Sequence, residues 1–408
     1  MDDRRAEVTQ SADQSVASQG GRKKEVFKAF LLLGLSSFGG PVAHLGYFRH
    51  EFVQRRQWLN EKAYADLVAL CQFLPGPASS QVGFALGLMR AGPWGAALAW
   101  LAFTLPSAIL LLVFALGAAW LDGPLAQGLV SGLKITAVAI VAHAVWGMAR
   151  NLCPDKTRTG IALAGVFAVL LIHGPLGQIS AILVGSLAGW LLCREATESL
   201  SEPLTFDISR RVGLIALGLF AALLCLLPLA ASSAAWLEVV DGFYRSGALV
   251  FGGGHVVLPL LEAEVVQSGW VSADEFLTGY GAAQAVPGPL FTFAAYLGAL
   301  LPEVNPLVGA LLALLAIFVP GLLLLVGVLP FWNTFRQWQG AQALMRGANA
   351  AVVGILAAAL YQPVWTSAII GPYEFALALS GFLLLSVWKL PAWAVVIVMA
   401  LGGVVTAF

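Results

Sequence analysis

Long apolar runs alternate with short polar or glycine- and proline-rich breaks along almost the whole chain. The clear runs cover residues 93–119, 124–149, 159–172, 175–193, 211–231, 306–330, 346–361, 372–388 and 391–408. Several match the roughly 20 residues that a helix needs to cross a hydrocarbon core, with 159–172 and 346–361 marginal. No polar stretch between them is long enough for an extramembrane domain. Only helices and closed barrels satisfy their backbone polar groups in lipid, so the pattern predicts an all-α polytopic membrane protein.

Four further runs, 27–54, 60–90, 236–268 and 272–301, are apolar but interrupted. The interruptions are Phe38-Gly39-Gly40-Pro41, Pro75-Gly76-Pro77, Phe251-Gly252-Gly253-Gly254 and Pro287-Gly288-Pro289. Glycine frees the backbone and proline removes a donor, so each helix is expected to stop and restart there.

The interruptions come in pairs and expose an internal repeat. At an offset of 213, Phe30, Gly34, Phe38, Gly39, Gly40, Leu45, Glu51, Val53 and Gln54 meet Phe243, Gly247, Phe251, Gly252, Gly253, Leu258, Glu264, Val266 and Gln267. At 212, Trp58, Gln72, Pro75, Gly76 and Pro77 meet Trp270, Gln284, Pro287, Gly288 and Pro289. Further on, Gly95, Pro106, Gly132, Val138 and Ile140 match Gly309, Pro320, Gly347, Val353 and Ile355. The chain therefore divides into a disordered cytosolic tail (1–25), a first transmembrane repeat (26–194), a linker with one extra transmembrane helix (195–235) and a second repeat (236–408). The tail is polar and has no apolar segment before Val26, so no cleavable signal peptide is expected.

Charge gives the two repeats a direction. The formal net charge of the 408 residues is zero. Residues 1–211 hold 18 Lys/Arg and 14 Asp/Glu, a net +4, whereas residues 212–408 hold 4 and 8, a net −4. The loop 49–62 carries Arg49, Arg55, Arg56 and Lys62, while its counterpart 262–275 carries Glu262, Glu264, Asp274 and Glu275 and no base. Bases favour the cytoplasmic side, so the equivalent loops are expected on opposite faces, an inverted-topology repeat with a cytoplasmic N-terminus. If each broken run is a re-entrant hairpin, nine full spans remain. If each crosses, there are thirteen segments, and the bases of 49–62 fall outside.

Composition agrees and excludes other classes. Only 11% of residues are charged and 59% are hydrophobic, with a mean hydropathy of +0.84. Such a chain is no soluble enzyme, nucleic-acid binder or secreted disulfide scaffold. Cys71, Cys153, Cys193 and Cys225 lack C-x-x-C spacing, no His/Glu cluster has metal spacing and no Walker A sequence occurs, so no cofactor is expected.

Broken helices are tolerated in a membrane where the freed backbone lines a cavity or is buried in protein. Inverted-repeat transporters use them to hold substrate near the midplane. Helices restarting near Pro41, Pro77, Gly254 and Pro289 would aim their unpaired N–H groups at the membrane centre, a site for an anion. Gln72, Ser79, Ser80, Gln284 and Thr292 are candidate donors beside Gly39, Gly40, Pro75, Gly76, Gly252, Gly253, Pro287 and Gly288. The competing reading is that the glycines serve close helix packing. Lys134, aligned with Asn349, either contacts the anion or snorkels to an interface. Glu51 and Glu264 match across the repeat and are either proton carriers or loop-edge groups. His44 and His255 flank the glycine breaks and could titrate near neutral pH, but they do not align with each other.

Phe38-Gly39-Gly40-Pro41, the stretch through Trp58 and Tyr64, and Gln72-Phe73-Leu74-Pro75-Gly76-Pro77-Ala78 resemble the chromate ion transporter family. The doubled form, with Phe251-Gly252-Gly253-Gly254-His255 and Gln284-Ala285-Val286-Pro287-Gly288-Pro289, resembles its long-chain, two-repeat branch. The resemblance implies efflux of chromate across the bacterial inner membrane, conferring resistance. Sulfate is a tetrahedral dianion of similar size and is not separable from chromate here. A sulfate importer and an anion channel remain alternatives, and a homo-oligomer is open. Gly254 stands where the first repeat has Pro41, so the two halves are not expected to be used equivalently.

Overall fold

The computed structural model describes residues 20–118, 123–172, 174–194, 206, 208–335 and 338–406. Most of the expected tail, and residues 195–205 and 207 of the linker, fall outside these residues. Among the described residues every regular element is helical.

The first repeat opens with α1, residues 20–36. Gly39 (φ 101°) and Pro41 then set the start of α2, Gly40–Phe48, which runs into a π-helical turn, Arg49–Arg55. A left-handed glycine ends one helix and an early proline starts the next, because proline lacks the N–H that would be unpaired there anyway. Next come α3, Glu61–Phe73, capped by the Asn60 side chain, and α4, Ala78–Ala118. At Ala91 and Gly92 (φ 67°) the backbone of α4 leaves helical geometry before Pro93. At 1.5 Å per residue the 13 residues of α3 reach about 20 Å, short of a core of about 30 Å. The broken runs fold back instead of crossing. The ring of Phe30 in α1 stacks on Phe52 at 4.9 Å and meets Phe48 edge-on at 5.7 Å. Glu25, at the outer end of α1, binds Arg56 at 3.2 Å and Arg90 at 2.8 Å, so both hairpins return to one face.

Five helices then cross between the two sets of hairpins: the second part of α4, α5 (Pro124–Leu152), α6 (Lys156–Leu171), α7 (Pro175–Leu192) and α8 (Arg210–Ala230). Five is odd, so the second hairpins enter from the opposite face and the repeats are inverted. They comprise α9 (Ala235–Ala248), α10 (Val257–Val265), α11 (Ala273–Ala285) and α12 (Phe293–Ala299). A capping box of Ser272 and Glu275 starts α11. The second repeat closes with α13 (Pro306–Val328), short α14 (Trp332–Phe335), α15 (Gln339–Ala359), short α16 (Thr366–Ala368), α17 (Pro372–Ser386) and α18 (Ala392–Thr406).

The repeats are interwoven: α5 packs on α17 and α18, and α15 on α6 and α7. Small residues permit the close approach. A Cβ on Gly189 would strike Ala343 and Gly347, and one on Gly403 would strike their repeat mates Gly128 and Gly132. Two apolar cores result. The larger joins the second hairpins to α5, α7, α13, α15 and α18. The smaller joins the first hairpins to α4 and the end of α13.

Candidate functional site

The four chain breaks meet at the centre through two reciprocal hydrogen bonds. The N–H of Gly76 donates to the carbonyl of Val250 at 2.8 Å, and the N–H of Gly288 donates to the carbonyl of Ser37 at 2.9 Å. Gly288 is the repeat mate of Gly76, and Val250 that of Ser37, so a pseudo-twofold axis passes between these bonds. Pro41 and Gly254, also repeat mates, touch across it: a Cβ on Gly254 would lie 3.0 Å from Pro41 Cγ. A Cβ on Gly40 would be 4.0 Å from His255 Nε2. Gly76 needs to be glycine twice over, because its φ is 120° and its Cβ would be 3.0 Å from the Gly321 backbone. Each Pro-Gly-Pro loop thus clamps the glycine break of the other repeat.

The helix restarts expected near Pro41, Pro77, Gly254 and Pro289 are found, in two forms. The first repeat restarts directly as the α-helices α2 and α4. The second restarts through the tighter 3₁₀ turns Gly254–Val256 and Leu290–Thr292.

Unpartnered buried polar atoms collect on the first-repeat side. Ser37 Oγ, His44 Nε2, Ser80 Oγ, Gln81 Oε1 and Thr104 Oγ1 have no hydrogen-bond partner among the described residues. Each of these residues is at most 2% exposed. His44 Nδ1 lies 3.3 Å from Ser79 Oγ. Where that hydroxyl donates to Nδ1, the ring proton sits on Nε2. Gln81 Nε2 donates to the carbonyls of Pro75 (3.0 Å) and Gly321 (2.9 Å), tying its own loop to α13. An unsatisfied buried polar group costs about 1–3 kcal/mol, which makes these atoms the candidates for meeting a polar guest.

At the aligned positions the second repeat is apolar. Val257 replaces His44, Phe291 Ser79, Phe293 Gln81 and Phe318 Thr104. Phe291 and Phe318 pack at 5.6 Å between ring centroids. Thr292 replaces Ser80, but its hydroxyl donates to the Pro289 carbonyl at 2.7 Å. Gln284 Nε2, Ser246 Oγ and Asn349 Oδ1 are the unpartnered polar atoms on this side.

The remaining candidates lie elsewhere. Gln72 is exposed at the end of α3. Lys134 Nζ binds Asp274 Oδ1 at 2.9 Å, at the outer end of α11. Glu51 pairs with Arg56 and Arg55, and Glu264 with Arg245 at 2.7 Å, which also holds Asp241 at 2.9 Å. These two glutamates staple the outer ends of equivalent hairpins. Gly174, Glu238, Asp241, Arg245 and Glu264 line a surface cavity of about 470 Å³ on the face where the second hairpins enter. His255 Nδ1 is 2.9 Å from the Tyr280 hydroxyl. Ser37, Gln81 and Thr104 were not expected from the sequence. Their signal was available, as polar residues facing Val250, Phe293 and Phe318 in the repeat alignment.

The family described as chromate transporter matches this chain twice, over residues 24–190 and 237–405. The chain belongs to the chromate transporter family. The two matched stretches bracket the two clamps that meet at the pseudo-twofold axis. The chain is 30% identical to the probable chromate transport protein of Synechococcus elongatus over 94% of its length and 95% of the relative's. It is 28% identical to the chromate transport protein of Cupriavidus metallidurans over 94% and 92% of the two chains. With the chromate transport protein of Pseudomonas aeruginosa the identity is 26%, over 93% and 90%. No solved structure matches. As a member of this family with, among the described residues, six helices long and apolar enough to cross a membrane, the chain is a multi-pass membrane protein.

Proposed function

We propose that the protein is a secondary transporter that carries chromate out of the cytoplasm across a bacterial inner membrane, with its N-terminus inside. The observation that carries this reading is the reciprocal clamp, Gly76 on Val250 and Gly288 on Ser37, which brings four helix breaks to one point beside unpartnered donors. A tetrahedral dianion needs several convergent donors. In the conformation described, neutral hydroxyl and imidazole groups supply them and no base stands among them. The basic rim of the first hairpins, with Arg49, Arg55, Arg56 and Lys62, suits the cytoplasmic face. With the inside negative, each charge leaving gains about 2.3 kcal/mol per 100 mV, and a dianion about twice that. Export can therefore run on membrane potential or, with coupled protons, on the proton-motive force.

The test is uptake of labelled chromate and sulfate into everted vesicles, with and without an imposed potential. The expected result is saturable chromate uptake that rises with an interior-positive potential. Sulfate taken up in preference to chromate would replace the substrate. Flux only in the opposite sense would make the protein an importer, and non-saturating single-channel currents would make it a channel.

A further inference from the structure

The pseudo-twofold symmetry is kept in two places and broken in one. It is kept at the central clamps. It is kept in the scaffold too, where Gly189 meets Ala343 and Gly347 as Gly403 meets Gly128 and Gly132. It is broken where the hairpins seat on that scaffold. In the second repeat α10 packs on α7 and α15, and Gln178 Nε2 donates to the Pro259 carbonyl at 2.6 Å. Every residue from Val257 to Ala263 is buried. The equivalent helix α2 packs chiefly on α4 and its own hairpin tip and leaves Val42 81% and Tyr47 43% exposed. Gly46, the repeat mate of Pro259, has nothing within 4 Å of its Cβ position.

The same break reaches the central site. A Cβ on Gly252 would lie 3.5 Å from Asn349 Oδ1 and 3.5 Å from Met148 Cε. Its mate Gly39 would meet only Ala43, in its own helix. Lys134, the repeat mate of Asn349, is instead bonded to Asp274. An inverted repeat that seats one hairpin and not the other is one member of a pair of states. Exchanging the roles of the repeats gives the second.

Building on the transport reading, we propose that Lys134 is an anion contact of that second state. When α2 seats on α5 and α18, Lys134 leaves Asp274 and stands at the Gly39 break as Asn349 stands at Gly252 here. The charge that meets the dianion is then present on one side of the cycle only, because the partner position holds a neutral amide. Asp274 acts as the resting partner that keeps Lys134 from the anion while the first hairpin is unseated.

Two measurements on the full chain in everted vesicles test this. For the movement, cysteines replace Gly46 and Ala392, the mate of Gln178, in a chain whose four native cysteines are changed to serine. A short bismaleimide is expected to join them at least fivefold faster when chromate is added, and the joined protein to stop transporting. Vesicles that transport while the pair never joins would overturn the seating. For the contact, Lys134→Met is expected to raise the KM for chromate at least tenfold, and Asp274→Asn, which frees Lys134, to lower it. The double exchange Lys134→Asp/Asp274→Lys is expected to remain as impaired as Lys134→Met. Rescue by that exchange would reduce the pair to a structural tie and overturn the contact. If the unaltered protein moves sulfate and not chromate, the chromate reading fails while both measurements proceed with sulfate as probe.

Discussion

The two repeats share their breaks and differ in what surrounds them. Around the first, His44, Ser79, Gln81 and Thr104 present polar atoms; around the second, Val257, Phe291, Phe293 and Phe318 fill the same positions with hydrocarbon and rings. The backbone requirement is common to both, since each break needs glycine conformations and a loop to clamp it. The buried polar side chains are unevenly shared. Duplication supplies the inverted frame, and on the proposed reading divergence makes the first half the ligand side and the second chiefly a packed wall. The two cores differ accordingly, for the second hairpins share one with α5, α7, α15 and α18, whereas the first hairpins pack on α4 and the end of α13.

The largest effect is expected where the halves are alike. Gly76→Leu places a branched side chain at φ 120° against the Gly321 backbone, and Gly288→Leu does the same against Ser107 Oγ at 2.8 Å. Strained backbone costs about 1–3 kcal/mol before any clash. Both variants are expected to lose chromate flux in vesicles to background, by more than about 100-fold if the lost alignment acts on transport as misplacement does on other positioned groups. Full flux in either would mean that the clamp is not part of the path.

Next come exchanges that should separate the halves. His44→Val copies the second repeat into the first and should lower flux about 10- to 100-fold, the value of a hydrogen bond of about 1.5–3 kcal/mol to a charged group. Its thermal stability should change little, because an unpartnered Nε2 disappears together with the Ser79 contact. Val257→His does the reverse. It buries an imidazole at a 0% exposed position, so stability should fall by about 1–3 kcal/mol, and any lost flux should track lost folded protein. Equal flux defects per folded molecule would erase the distinction between a ligand side and a wall.

Much of this was legible in the chain. Glycine and proline at fixed offsets report backbone geometry, which side chains elsewhere cannot disguise, so the breaks, the repeat and the inversion could be read directly. The long helices follow the apolar runs closely, and the return of both first hairpins to Glu25 favours re-entry over crossing for the broken runs. The donors were harder. Gln72 aligns with Gln284 and sits beside the motif, yet the final turn of α3 leaves it exposed. Thr292 is drawn onto Pro289 by its own turn. Thr104 and Gln81 look like stray polar residues in apolar helices until the fold brings distant segments together. Lys134 shows the same limit, because its partner is 140 residues away.

A smaller effect should distinguish affinity from architecture within the ligand side. Thr104→Val keeps shape and removes one unpartnered hydroxyl. Chromate KM should rise about tenfold if that hydroxyl donates to the anion, from about 1.4 kcal/mol, while the melting temperature in detergent should not fall. Phe318→Leu, at the mate position, should leave KM unchanged and cost about 1 kcal/mol of stability through lost packing. A KM shift in the Phe318 variant matching that of the Thr104 variant would place substrate against both repeats.

The smallest effect is expected at the rim, where the halves differ most visibly in charge and least in consequence. Arg49 binds Glu61 at 2.8 Å, with both side chains more than half exposed. The mate of Arg49 is Glu262, buried and bonded to Gln267 at 3.0 Å. The guanidinium bond from Arg49 holds the Glu61 carboxyl below its usual range. A depressed carboxylate stabilises the fold above its unfolded pKa, and the contribution disappears only as pH falls through the lower folded value. Between pH 5 and 8 the pair is therefore constant, and solvent and salt screen it. Glu61→Gln should leave chromate flux unchanged and lower the melting temperature only slightly across that window, because the exposed pair is screened, and this small difference from the parent protein should disappear in acid below about pH 4. A flux change near neutral pH would make this rim pair part of the path, and the charge contrast between the repeats would then bear on transport as well as on topology.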